Sequence, residues 1–76
     1  MEITKASGEK EPFNKDKLCG SLKSAGAPEA LVEETCEIVT EHLLPGVTTT
    51  EIWRRALRYL VKKNITVAAR YNLRHG

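Results

Sequence analysis

The sequence predicts an α+β domain dominated by helix, with a short N-terminal β-hairpin followed by a small bundle of four helices. Three features of the chain lead there. Apolar and polar residues alternate only within residues 2–13, which is the two-residue period of a strand. From Leu18 onward apolar residues recur at spacings of three and four, the period of a helix. Turn and capping residues (Ser7-Gly8, Gly26, Pro45-Gly46 and Asn64) divide the chain between these segments. The 76 residues are expected to make one domain over 1–76. A chain this short buries only about 60% of the surface its unfolded form exposes. It cannot hold a catalytic domain with its own cleft and a supporting scaffold.

Each element has a local reason. Glu2–Ala6 alternates, Ser7-Gly8 supplies a turn in which glycine accepts a positive φ, and Glu9–Phe13 returns as a second strand. Pro12 cannot donate to a ladder, so that strand lies at an edge. Asn14 is a strong N-cap candidate for a first helix running to about Ala25, with Leu18, Leu22 and Ala25 on its inner face. Gly26 ends it. Pro28 opens the second helix, whose inner stripe is Val32, Cys36, Val39 and Leu43 and whose other faces carry Glu29, Glu33, Glu34, Glu37 and Glu41. Pro45-Gly46 stops that helix. Thr48-x-x-Glu51 is a capping box for the third, with Ile52, Ala56, Leu57, Leu60 and Val61 as its core residues. Asn64 breaks the chain again. The last helix runs from Ile65 to about Arg74, with Val67, Ala68, Tyr71 and Leu73 inward. It continues to Gly76 without a stop signal, as expected of the N-terminal part of a longer protein.

Composition narrows the function classes. Hydrophobic residues make up 41% and charged residues 29%, as in ordinary globular domains. The longest uncharged stretches, such as Leu43–Thr50, carry Pro, Gly and Thr, so no transmembrane helix is expected. Residues 1–5 lack the pattern of a secretory signal, and the expected address is the cytoplasm. Charge is unevenly distributed. Residues 1–46 hold five lysines against nine acids, whereas residues 47–76 hold seven cations against Glu51 alone. Cys19 and Cys36 form no CxxC pair and have no histidine at metal-ligand spacing, so they are expected to be buried, reduced and inert thiols.

Catalysis finds no foothold. His42 and His75 are far apart, and neither a nucleophile motif nor a GxGxxG or GxxxxGK[ST] loop is present. The chain is not expected to be an enzyme. Arg54, Arg58 and Lys62 recur every four residues and line one face of the third helix, flanked by Arg55 and Lys63. That face suits nucleic acid or another partner, or simply solvent. The hairpin is more specific. Lys5, Glu11, Asn14 and Lys17 bring two ammonium groups, a carboxylate and an amide to a helix N-terminus. Spare helix N–H groups favour anions, and a carboxylate with an amide can read a purine edge. Asn14 can equally be spent on capping.

These residues also resemble a known family. Ile3-Thr4-Lys5-Ala6-Ser7-Gly8-Glu9-Lys10-Glu11-Pro12-Phe13-Asn14-Lys15-Asp16-Lys17-Leu18 is similar to the opening of the ATP-cone domain. Val47-Thr48-Thr49-Thr50-Glu51-Ile52 resembles that family's third-helix start, and Val67-Ala68-Ala69-Arg70-Tyr71 its last helix. The resemblance implies a small sheet capping a four-helix bundle. It also implies an allosteric regulatory module for ATP or dATP, with Mg2+ as an accompanying ion and no catalytic cofactor. Carried over by position, Ile3 would touch base or ribose, and Lys5 would meet phosphates. Glu11 and Asn14 would read adenine, and Lys17 and Thr49 would complete the ribose and phosphate side. Trp53 joins the implied nucleotide-binding set where reductases of this family often have histidine. Ala6 departs from the family, which has arginine there for a phosphate. The implied partners are an adenine nucleotide and an attached or partner domain, with no membrane. The alternative is a protein-interaction or DNA-binding helical module with a degenerate nucleotide site, using the basic third-helix face.

Overall fold

Strands β1 (Glu2–Thr4) and β2 (Lys10–Pro12) pair antiparallel, with Ile3 opposite Glu11. In this computed structural model residues 1–75 are described, with side chains through Leu73; the expectations for the Arg74 and His75 side chains and for Gly76 lie outside the described residues. Both strands are shorter than their alternation predicts. The turn closes early, because the Lys5 N–H donates to the Glu9 carbonyl at 2.7 Å. Gly8 sits within it at φ 90°, a conformation that strains any side chain.

The other edge of β1 is also occupied. The Gly46 N–H donates to the Glu2 carbonyl at 2.9 Å, and the Thr4 N–H donates to the Val47 carbonyl at 2.8 Å. The Thr4 hydroxyl donates to the Gly46 carbonyl at 2.9 Å, and Thr4 and Thr48 form a parallel bridge. The hairpin is thus stitched to the segment that precedes the third helix.

Four helices follow: α1 (Lys15–Ser24), α2 (Glu29–Glu41), α3 (Thr49–Lys63) and α4 (Ile65–His75). The Asn14 side chain caps α1 by accepting from the Asp16 and Lys17 N–H groups. Pro28 lies just outside α2 as its N-cap, one position earlier than expected, and its carbonyl accepts from Val32 N–H. Half of the expected capping box forms. Thr48 Oγ1 accepts from the Glu51 N–H at 3.1 Å, while the Glu51 carboxylate pairs with Arg55 at 3.2 Å. Asn64 serves two helices: its N–H donates to Leu60 at the end of α3, and its side chain accepts from Val67 N–H at the start of α4.

The core is continuous from hairpin to bundle. Ile3, Leu18, Leu22, Ala25, Val32, Cys36, Val39, Leu43, Ile52, Ala56, Leu60, Val67, Ala68 and Tyr71 are buried. Of the other expected core residues, Leu57 is only partly buried and two are exposed. Val61 is 49% exposed, because Ile52, Ala56 and Leu60 already define the inward row of α3 and the next residue turns about 100° away. Leu73 is 82% exposed, two residues past the inward-facing Tyr71.

The cysteines require a correction. Cys19 on α1 and Cys36 on α2 are joined as a disulfide, not left as free thiols, with Cα atoms 6.0 Å apart. Spacing along the chain did not reveal this, because only the packing of two helices brings the positions together. That Cα separation lies in the range a disulfide spans. The bridge closes a loop of sequence separation 17. Cross-links of such length remove about 3 kcal/mol of unfolded-state entropy. The intact mass should therefore be lighter than the fully reduced mass by two hydrogens, and reductant should lower the denaturant midpoint by the equivalent of about 2–4 kcal/mol. A fully reduced mass, with a midpoint indifferent to reductant, would contradict the pairing.

Candidate functional site

The hairpin does not lie flush on the bundle. Between β1, β2, α1, α3 and α4 it leaves a cavity of about 600 Å³. Ile3 and Ile52 give it an apolar floor, and Glu11, Asn14, Lys17, Ser21 and Thr49 bring polar groups to it. Phe13, Trp53 and Tyr71 add aromatic surface. The Trp53 and Tyr71 rings stack with centroids 6.5 Å apart and an interplanar angle of 21°. Aromatic pairs at that separation contribute beyond the area they bury. Burial pushes the Tyr71 hydroxyl from its ordinary 10.0 up to about 12.

Six of the seven residues expected to bind nucleotide line this cavity: Ile3, Glu11, Asn14, Lys17, Thr49 and Trp53. Lys5 does not. Its Nζ stands 3.4 Å from Glu11 Oε2, so it touches the site through that carboxylate. The α1 N-terminus is less available to an anion than its sequence suggests, because the Asn14 side-chain oxygen already takes the Asp16 and Lys17 N–H groups. The amide nitrogen of Asn14 remains as a donor. Two lysines of α1 line the cavity and differ sharply. Lys15 pairs with Glu37 of α2 at 2.9 Å, whereas Lys17 has no ion-pair partner among the described residues.

Sequence reasoning placed Phe13 in the strand and Tyr71 in the core, and gave Ser21 and Lys15 no role at the site. Tyr71 could have been found: it lies on α4, the helix packed against the one that carries Trp53. Ser21 carried no comparable signal. Among the described residues no helix is long and apolar enough to cross a membrane, and no group of three or more His, Cys, Asp or Glu side chains could hold a metal ion.

The raised Tyr71 pKa has a stability consequence with a definite sign. The unfolded phenol loses its proton near 10.0, while the folded one keeps it to about 12. Between those values the folded state holds more protons, so stability is full below the window and falls as pH rises through it. Denaturant midpoints measured across this interval should decline. Tyr71→Phe should flatten the decline, leaving the part due to Tyr59, whose pKa is also raised to about 12 by its hydrogen bond to Glu34. An equally steep decline in the variant would show that Tyr71 is not its source.

Comparison with known families agrees with this geometry. The family model described as the ATP cone domain matches residues 1–75. No curated protein matches the chain. The match runs through hairpin, bundle and cavity-lining segments alike, so no part of the site falls outside it. The chain belongs to the ATP-cone family of nucleotide-binding regulatory domains.

Proposed function

We propose that the cavity between hairpin and bundle binds ATP or dATP and that the bound state regulates an attached or partner domain. The observation that supports this most is convergence. Residues from positions 3 to 53, singled out on separate elements, line one cavity. Its size of about 600 Å³ also suits a small organic ligand.

The donors and acceptors present fit an adenine nucleotide. An ionised Glu11 only accepts hydrogen bonds, and adenine offers it an exocyclic amine. Asn14, with its oxygen spent on the helix cap, supplies a donor from its amide nitrogen for a ring nitrogen. Ile3 and Trp53 offer apolar and aromatic surface to the base or ribose. Lys17 is the available cation for the phosphates, with Thr49 beside them. Lys5 steadies Glu11 and reaches phosphate only by leaving that pair. Mg2+ would arrive with the phosphates, because the described residues offer no cluster of their own for it.

A nucleotide here would touch α1 and α3 at once and bias their packing. Such coupling requires different affinities for two states of the domain, typically worth about 1–3 kcal/mol. Every role assigned is one of binding or positioning; none is catalytic. The second reading, an interaction or DNA-binding module with a degenerate site, draws on Ala6 and on Arg54, Arg58 and Lys62 of α3, which have no ion-pair partner among the described residues.

Calorimetry at one salt concentration distinguishes these. Guanine sets a carbonyl oxygen against Glu11, and a repelled buried polar group costs about 1–3 kcal/mol, so ATP should bind roughly tenfold to hundredfold better than GTP. Glu11→Gln should erode that preference, since an amide can turn its donor toward the guanine oxygen. Equal affinities in the wild type would remove Glu11 from base reading. No heat with either ATP or dATP would favour the degenerate module.

A further inference from the structure

A second concavity lies between the C-terminal half of α2 and the middle of α3. It encloses about 220 Å³ and is lined by Ile38, Val39, His42, Arg55, Arg58, Tyr59 and Lys62. None of these residues lines the hairpin cavity. Ile38 and Val39 make an apolar floor, with the Ile38 side chain partly open to solvent. The rim is basic. Arg58 and Lys62 have no ion-pair partner among the described residues, and Arg55 is shared with Glu51 at 3.2 Å. The stripe expected on α3 is therefore divided, since Arg54 lies outside the groove while Arg58 and Lys62 line it.

The polar groups of the groove are partly fixed. His42 Nδ1 lies 2.8 Å from the Ile38 carbonyl, which can only accept, so Nδ1 carries a proton and Nε2 is the ring's remaining polar atom. The Tyr59 hydroxyl donates to Glu34, which holds the Glu34 carboxyl below its usual range. Lys63 pairs with Glu34 at 3.6 Å and stands 5.6 Å from the Tyr59 ring centroid. Glu34 and Glu51 thus already have partners, and Glu37 beside Ile38 pairs with Lys15, so Glu41 is the one acid flanking the groove without an ion-pair partner among the described residues, against the two cations Arg58 and Lys62.

Size and composition together select the occupant. About 220 Å³ falls below the roughly 300–1,000 Å³ of small-molecule sites, and it suits one large apolar side chain. A phosphate backbone would be held by the cations alone, which Arg54 outside the groove divides, and would leave the aliphatic floor unused. A protein segment with an apolar anchor flanked by carboxylates uses both features. We propose that the α2–α3 groove docks an acidic segment of a partner protein or domain, inserting one apolar side chain over Ile38 and Val39 between Arg58 and Lys62. This site is independent of nucleotide binding in the hairpin cavity.

The test uses the whole chain, labelled with 15N, and three probes at one salt concentration. These are a short blocked peptide of Asp and Glu around a central Leu, the same peptide with Ser for Leu, and a short DNA duplex. The Leu peptide should shift the amides of Ile38, His42, Tyr59 and Lys62 while leaving Ile3 and Asn14 still. The Ser peptide should bind several-fold more weakly. Charge reversal by Arg58→Glu with Lys62→Glu should weaken the Leu peptide roughly tenfold or more, with the circular dichroism spectrum unchanged. Equal binding of the two peptides, tighter binding of the duplex, or no shift in the groove would each overturn the proposal. The peptide comparison on the wild-type chain stands even if the double variant fails to fold.

Discussion

Thr4 ties the hairpin to the bundle, and the site depends on that attachment. A two-stranded hairpin is marginal in water by itself. Here β1 is held on both edges, by β2 on one side and by Gly46–Thr48 on the other, with the Thr4 backbone and hydroxyl both engaged. Ile3 is thereby pressed into the core at 5% exposure. The same contacts fix where α3 begins, one residue beyond Thr48, and so bring Thr49 to the cavity opposite Glu11 and Asn14. Gly46, at φ 83°, lets the chain turn from the end of α2 into this pairing. Without the stitch, floor and wall would belong to separate pieces.

The cavity's walls are braced from behind. Lys15 and Glu37 link α1 to α2, as does the Cys19–Cys36 bridge, while Trp53 and Tyr71 stack α3 against α4. The helices carrying Asn14–Lys17 and Thr49–Trp53 are thus each fastened to a neighbour, and both line the cavity. A ligand between them would act on two braced pairs, which suits an element with two packings rather than a soft one.

Much of this was legible in the sequence because it is local. Helix periodicity, the Asn14 cap, the Thr48 cap and the break at Asn64 each depend on residues within a turn or two, and all appear close to their expected positions. The inward rows followed from the same period, except at Val61, one residue past the inward Leu60, and at Leu73, two residues past the inward Tyr71. What the sequence could not disclose is non-local. The pairing of β1 with Gly46–Thr48 spans more than forty residues and shows no alternation in its second strand. The disulfide needs α1 and α2 in register. Lys5 reaches Glu11 diagonally across the hairpin, because the register sets Ile3 opposite Glu11 and leaves Lys5 two residues further along, a separation a long side chain spans.

Trp53 is the chain's one tryptophan and lies in the cavity wall, so its indole N–H gives a single reporter of occupancy. The most direct measurement is a titration of the 15N-labelled chain with dATP, following that resonance together with the amides of Ile3, Glu11, Asn14 and Thr49. A nucleotide bound between hairpin and bundle predicts that all five move along one saturation curve with one Kd. An unmoved indole, or shifts confined to the α2–α3 surface while the cavity residues stay still, would contradict nucleotide binding at this site.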